Sequence, residues 1–366
     1  MTLRPIEKPK AIHYEAERTL RHFLGPLVQY FDDDNVNEIM INSPDSIFIE
    51  SKGEMKQLAI QLPAQSIEAA ARSIMTLNSK DAELIMDARL PGVRVAAALP
   101  PVALHGPSMS IRKHARSRIE LEDYVTAGGF TPLDAEGLAA LGAKADASKS
   151  EVEALERAAA DGGAALMRFL QWIMKERKNL MVVGGTSSGK TTILSSLLAC
   201  IPYWHRIITN EDTHELLLTH SNIVQFEANH QANIFIRNLI KLCLRYRPDR
   251  IIVGEVRGYE AYDLLDAMNT GHPGTAFTLH GETPLGGLHR MESLIRMAPA
   301  AASMSTALLR QEISSAIDYV LFQSRIGSSR GPEQLIALDK ELTPAGDYRT
   351  RLIYDRLRHF RSPSVV

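Results

Sequence analysis

LMVVGGTSSGKTTILSSLLA, Leu180 to Ala199, passes through three textures. Leu180–Val183 is a short apolar run, Gly184–Thr191 is rich in glycine and hydroxyls, and Thr192–Ala199 is built of apolar and small residues. The first predicts a buried strand and the last a helix, so the loop joins a strand to a helix N-terminus. In that setting GGTSSGKT matches G-x-x-x-x-G-K-[ST], a phosphate-binding pattern with a mechanism. Gly184 and Gly189 let the backbone turn back, so that the N–H groups of Gly185, Thr186, Ser187 and Ser188, reinforced by the helix N-terminus, converge on phosphate oxygens. Lys190 would neutralise β- and γ-phosphates, and the Thr191 hydroxyl would ligate Mg²⁺. Thr192 lines the same turn and is expected to pack or cap.

Outward from this loop, apolar strands are expected at Arg206–Thr209, Arg250–Val253 and Thr275–Leu279. Leu166, Phe169, Leu170, Ile173 and Met174 form one helical face, and Ile236, Leu239, Ile240, Cys243 and Leu244 another. Continuous apolar strands alternating with helices predict an α/β domain whose parallel-rich sheet is covered on both faces. Such sheets bind ligands at the C-terminal ends of their strands. NEDTHEL (Asn210–Leu216) brings Glu211, Asp212 and Glu215 to that edge, and RPDRIIVGEVRG (Arg247–Gly258) brings Glu255. Glu211 and Glu255 are both expected to face the phosphates; the alternative is a solvated turn. Gly254 stands where phosphate-loop enzymes usually hold their magnesium shell with an Asp. A glycine there would let the backbone pass close to the phosphate loop while Glu211 and Glu255 share the acid work. In GHPGTAFTLHG (Gly271–Gly281), His280 ends a strand on the same edge and is placed to donate to a γ-phosphate, whereas His272 reads equally well as structural. The neighbouring acids make no recognisable zinc motif.

The chain has 366 residues, a length that predicts about two domains. Hydrophobic residues at 45% and charged residues at 23% are ordinary globular values. A net charge of -2 gives no broad basic field, and no basic, aromatic-rich stripe stands out, so no direct nucleic-acid site is expected. Cys200 and Cys243 have neither CxxC spacing nor a disulfide framework around them and read as core thiols of a reducing compartment. The charged, proline-bearing N-terminus does not read as a secretion signal. No apolar run is long enough for a membrane span, which leaves only a peripheral membrane role.

Residues 1–121 predict a small α+β domain, with a helix over Ala11–Tyr30, strands at Glu38–Asn42 and Ile47–Ser51, a helix over Ala64–Leu77, and strands at Val93–Leu99 and Met109–Lys113. Residues 122–163 are rich in alanine, charge and glycine and read as a linker with helical content, either a spacer or a hinge. Ser150 and Glu153 have capping-box spacing, and Gly162–Gly163 would end that helix. Residues 164–366 hold the phosphate-loop domain.

GGTSSGKT, NEDTHEL, RPDRIIVGEVRG and GHPGTAFTLHG, in this order, resemble the Walker A, Asp, Walker B and His boxes of the secretion ATPase superfamily, which serves type II and type IV secretion, conjugation and type IV pili. The resemblance covers roughly Arg168–Ile317 and extends weakly over the first domain through EIMINSPDSIFIESKGEM and GPSMSIRK. It implies a RecA-like C-terminal domain and a homohexameric ring with nucleotide between the domains. ATP and Mg²⁺ are the implied cofactors, and ATP hydrolysis is coupled to domain rotation. Glu211 matches the acid that activates water, Glu255 the atypical Walker B acid near magnesium, and His280 the His-box residue. Arg94 and Arg112 match N-terminal arginines that reach the phosphates, with Arg206 and Arg257 as weaker matches. Such a cationic finger contributes about 10³ to 10⁵ in rate.

The chain cannot build the four-cysteine zinc module common in type II secretion and pilus-assembly members, and it lacks the C-terminal signature of pilus-retraction members. The resemblance therefore implies the type IV secretion and conjugation branch, including relatives of tight-adherence pili. It also implies a cytoplasmic protein docked through inner-membrane partners of the machine at the inner face of the bacterial inner membrane. A pilus extension or retraction motor, a nucleic-acid ring motor and a non-catalytic nucleotide-gated scaffold are the alternatives.

Overall fold

The computed structural model describes residues 18–51, 53–77, 83–90, 92–113, 136 and 147–360. The expected start of the first helix, at 11–17, and most of the linker expected from 122 onward lie outside these residues. Residues 18–23 are helical, and after a 3₁₀ turn at Gly25–Leu27 the short helix α1 (Val28–Asp32) completes the opening element.

The N-terminal domain is a six-stranded antiparallel sheet of β1 (Val36–Ser43), β2 (Ser46–Ser51), β3 (Glu54–Leu58), β4 (Ile85–Leu90), β5 (Val93–Ala98) and β6 (Ser108–Lys113), in the order β3-β2-β1-β6-β5-β4. Alternation along the strands sorts side chains to two faces. Ile39 and Ile41, Val95 and Ala97, and Met109 and Ile111 pack with Ile67, Ala71 and Ile74 of α2 (Ala64–Leu77). On the opposite face Ala96 and Ala98 join Val102, Ala103, Phe226 and Tyr246 in the core of the second domain. Small side chains at 96 and 98 let the two domains approach closely. β3 and β4 were not legible as strands; β3 (EMKQL) carries almost no apolar pattern.

The second domain is an eight-stranded sheet in the order β14-β13-β12-β7-β11-β10-β8-β9. β7 (Leu180–Gly184), β8 (Ile207–Glu211), β9 (Ile223–Glu227), β10 (Arg250–Val256), β11 (Ala276–His280) and β12 (Tyr319–Ile326) run parallel. β13 (Ser329–Leu338) and β14 (Thr350–Asp355) add an antiparallel edge. Both faces are buried, Met181 and Val183 lying in one core and Leu180 and Val182 in the other. The α/β reading is therefore correct. β8 and β10 extend beyond their apolar runs, so Glu211 and Glu255 sit within strands. Among the described residues no helix is long and apolar enough to cross a membrane.

Two expectations change. The capping box lies two positions earlier than expected, on Ser148 and Glu151, and opens α3 (Lys149–Ala159). This helix, placed in the linker by composition, packs on α4 (Gly163–Lys175) and on β14. Its Glu156 is 4% exposed and is held by Arg351 and by the Tyr319 hydroxyl, so α3 belongs structurally to the second domain.

Arg206 is fully buried at the joint between the domains. Its Nε donates to Tyr246 O at 2.7 Å and its Nη1 to Asn222 Oδ1 at 2.9 Å and to Asn42 Oδ1. Asn42 Nδ2 donates to Asn222 Oδ1 at 3.0 Å, and the Tyr246 hydroxyl donates to Ser108 O at 3.1 Å. Two main-chain bonds, Leu104 N to Gln225 O and Glu227 N to Val102 O, continue the joint along the edge of β9. A guanidinium fully buried and bonded through Nε and Nη1 to the joint is a structural pillar rather than a phosphate-reaching finger, which corrects the weaker reading of Arg206.

Candidate nucleotide site

Two parallel strands end on one level and a third runs past it, because Gly184, the last residue of β7, is in register with His280, the last of β11, on one side and with Gln323, inside β12, on the other. The phosphate loop leaves from Gly184 and enters α5 (Lys190–Leu198) with Gly189 as the N-cap. Ser187 at φ 60° and Gly189 at φ 92° both take the left-handed conformation. Alternation of this kind turns successive N–H groups toward one point and makes an anion-binding concavity at the helix N-terminus. A serine at positive φ is uncommon and marks a backbone held by its surroundings. A Cβ at Gly184 would collide with the Gln323 carbonyl and the Ser188 hydroxyl.

Lys190, 8% exposed, donates from Nζ to Gly185 O at 3.0 Å and lies 3.4 Å from His280 Nδ1. His280 Nε2 lies 2.7 Å from Glu255 Oε1. An ammonium has only protons to offer, so in this contact Nδ1 is the accepting nitrogen. The other Glu255 oxygen accepts from Arg257 Nη2 at 2.5 Å, and Arg257 also approaches Asp212 at 3.6 Å. Glu255 Oε1 is buried and, although close to the imidazole, makes no hydrogen bond among the described residues. Burial holds Lys190 below the ordinary lysine pKa; Glu255 and Glu215 oppose this and Arg257 adds to it. The Glu255 hydrogen bond raises Arg257 further above its ordinary value.

Glu211 is differently placed from the expectation. It is 1% exposed, and its Oε1 accepts from the backbone N–H of Glu215 at 3.0 Å and of Leu216 at 2.9 Å. Oε2 lies 3.1 Å from His214 Nδ1. Its carboxylate closes the loop that follows β8. Gly254 makes room for it: a Cβ there would lie 3.0 Å from Glu211 Cγ. Gly254 is thus a mid-strand close approach to Glu211, with Thr278 Oγ1 donating to its carbonyl at 2.7 Å, and not a turn beside the phosphate loop. Glu215, exposed, acts electrostatically on Lys190 and Arg257.

Thr191, in the first turn of α5, is partly buried. Thr192 is exposed, and the N-cap carries no side-chain hydrogen bond, so Thr192 neither packs nor caps. His272 lies at the opposite end of β11, with Nδ1 3.2 Å from Ala267 O. Arg94 on β5 is paired with Asp87 at 2.7 and 2.5 Å, and Arg112 on β6 donates to Glu38 at 3.1 Å. Both arginines are held by carboxylates of their own domain. Asp87 also takes Arg245 of the second domain at 3.2 Å, and together these cations hold its carboxyl below the usual range against the cost of burial. Gln323 carries no recognisable motif and was not expected at the site.

A family model described as type II/IV secretion system protein matches residues 144–329. Conjugal transfer protein TrbB of Rhizobium radiobacter is 32% identical over 340 residues, covering 89% of this chain and 91% of that protein. VirB11 of the same species is 29% identical, covering 84% of this chain and 90% of that protein. Among solved structures, the VirB11 ATPase of the Brucella suis type IV secretion system, in complex with sulphate, matches with a TM-score of 0.79 at 25% identity, covering 89% of this chain and 96% of that one.

Proposed function

This chain belongs to the type II/IV secretion system protein family, and from that premise we propose that it is a Mg²⁺-dependent ATP hydrolase driving a type IV secretion or conjugal transfer machine. The observation that carries this reading is the Lys190, His280 and Glu255 line directly beside the phosphate loop. The loop amides and Lys190 bind and orient the β- and γ-phosphates, Lys190 exchanging Gly185 O for phosphate oxygen. Lys190 keeps its charge because phosphate oxygens compensate the burial that lowers its pKa. His280, between Lys190 and Glu255, is the group that registers whether they are engaged.

The site fits a magnesium ion. Glu255 Oε1 is a buried acceptor without a hydrogen bond, a costly state that a hard cation or its water relieves, and Thr191 provides a hydroxyl in the first turn of α5. Thr191 and Glu255 would hold the ion, which when bound neutralises charge on the β- and γ-phosphate oxygens. Glu215, exposed and electrostatically coupled to Lys190, is the acid assigned to orient the attacking water and accept its proton, because Glu211 Oε1 already accepts two backbone N–H groups and its Oε2 faces His214. Glu211 acts through the loop that presents Glu215.

The subunit works as a homohexamer, in the cytoplasm, docked peripherally on inner-membrane components of the machine. Family resemblance supports this, and its relatives are named for conjugal transfer and type IV secretion. Asp87 offers a release point for domain rotation, since it holds Arg94 and Arg245 at once; closure would free Arg94, and Arg112 beside it, to reach phosphate. The test is Mg²⁺-dependent ATP turnover by purified protein whose solution mass is six times that of one chain. Lys190→Ala is expected to abolish turnover. A fully active monomer, or turnover indifferent to Lys190, contradicts the reading.

A further inference from the structure

His280, Glu255 and Arg257 wall the phosphate loop on one side only. On the other side β12 brings Gln323, 4% exposed, whose Nε2 donates to Ser188 O at 3.2 Å across a chain separation of 135 residues. The same residue presses its carbonyl toward Gly184, so the first and fifth residues of the loop both rest on Gln323. The register of β12 with β13 breaks between Phe322 and Gln323, which re-aims the strand where it meets the loop. From β13 the Arg330 side chain reaches over Gly189: its Cδ lies 3.7 Å from the point a Cβ there would occupy.

We propose that Gln323 is a positioning residue for ATP binding, which holds the Ser188–Gly189–Lys190 turn in its phosphate-receiving shape. Ser188 precedes the two residues that set the left-handed turn and the cation. Its carbonyl must be turned away from the anion for the neighbouring N–H groups to face it, and the Gln323 amide supplies the donor that holds it there. Both Gln323 Oε1 and Ser188 Oγ are buried and without hydrogen-bond partners among the described residues. Each such group costs free energy while it is unpaired. Closing of the loop on phosphate would let the Ser188 hydroxyl donate to Gln323 Oε1. Nucleotide binding would then tighten the contact between the loop and the β12–β13 hairpin.

This inference rests on the nucleotide reading, so the experiment separates the two. Wild type, Gln323→Met and Gln334→Met are compared by fluorescent ADP binding, by KM and kcat for ATP, and by thermal unfolding. Gln334 bonds Asp355 in the same hairpin, away from the loop, and controls for hairpin packing. The expected result is a Kd and KM about tenfold higher for Gln323→Met, with a smaller change in kcat, a small fall in melting temperature and a silent Gln334→Met, the effect of one buried hydrogen bond. Hydrogen exchange at residues 188–190 should also become faster without nucleotide. Unchanged Kd and KM overturn the inference while leaving the nucleotide reading intact. Parallel losses of binding and melting temperature in both variants also overturn it, because they report hairpin packing. A wild type that binds no nucleotide overturns both. Should Gln323→Met not fold, Gln323→Glu keeps the shape, removes the donor and is read against the same outcomes.

Discussion

Glu211 Oε1 and the backbone N–H of Leu216 are hydrogen-bonded at 2.9 Å, so the acid that the motif nominates for chemistry is bound to the loop that follows it. A second N–H, from Glu215, shares the same oxygen. The carboxylate therefore determines where Glu215 stands.

Removing that carboxylate should loosen the loop before it touches the chemistry. Glu211→Ala leaves the buried N–H of Leu216 and the part-buried N–H of Glu215 without their acceptor and is expected to cost about 1 to 3 kcal/mol of stability. Glu211→Gln keeps a carbonyl acceptor for both and should cost much less. Denaturant unfolding of the two variants checks this; equal losses would show that negative charge, not the accepting oxygen, holds the loop.

Gly254 gives a steric version of the same test. An added methyl would lie 3.0 Å from Glu211 Cγ, so Gly254→Ala should displace the Glu211 side chain and destabilise by about 1 to 3 kcal/mol. Gly254→Asp, which would restore a conventional acid position, should be worse in both stability and turnover. Improved turnover in Gly254→Asp would show that the strand has room the structure denies.

The joint between the domains should respond to Asn42. Its oxygen accepts from buried Arg206 and its amide donates to Asn222, so Asn42→Ala strips a partner from a buried charge. An expected loss of about 2 to 4 kcal/mol should be concentrated at the joint. Calorimetry is expected to show one unfolding transition for wild type and two for the variant. A single transition with an unchanged melting temperature would mean that Arg206 holds the domains without it.

His205 predicts a pH dependence of stability. Its Nδ1 accepts from Arg250 Nε at 3.0 Å, and burial, with Arg250 adding to it, pushes its pKa down from 6.5 to about 4. Between these values the unfolded chain binds the proton that the folded chain refuses. Stability from this group is thus full above pH 6.5, falls as pH drops toward 4, and is flat below; the shift corresponds to about 3 kcal/mol, which solvent screening of this half-buried ring reduces to about 2 kcal/mol. His205→Asn should remove this part of the pH profile. A profile unchanged by the substitution would show that His205 titrates normally.

The strand, loop and helix around Lys190 were legible because their pattern is local: an apolar run, glycines at fixed offsets and a helix within one stretch. Glu255, His280 and Lys190 were legible as neighbours because parallel strands deliver their ends to one edge. Gln323 was not, because a lone glutamine in an apolar strand has no signature and meets the loop only through a distant crossover. The Glu211 cap was hidden for a related reason, since backbone N–H groups are the same in every sequence. Composition also misled at α3, where alanines suggested a spacer and Glu156 found Arg351 far along the chain.

The most direct measurement of the central claim is single-turnover ATP hydrolysis with Mg²⁺, comparing Glu215→Gln and Glu211→Gln after nucleotide binding has been confirmed for each. Loss of a positioned general base predicts that Glu215→Gln binds ATP normally and hydrolyses it about 10² to 10⁴ times more slowly, while Glu211→Gln stays within about tenfold of wild type. The reverse order, with Glu215→Gln active and Glu211→Gln inert, would contradict the account.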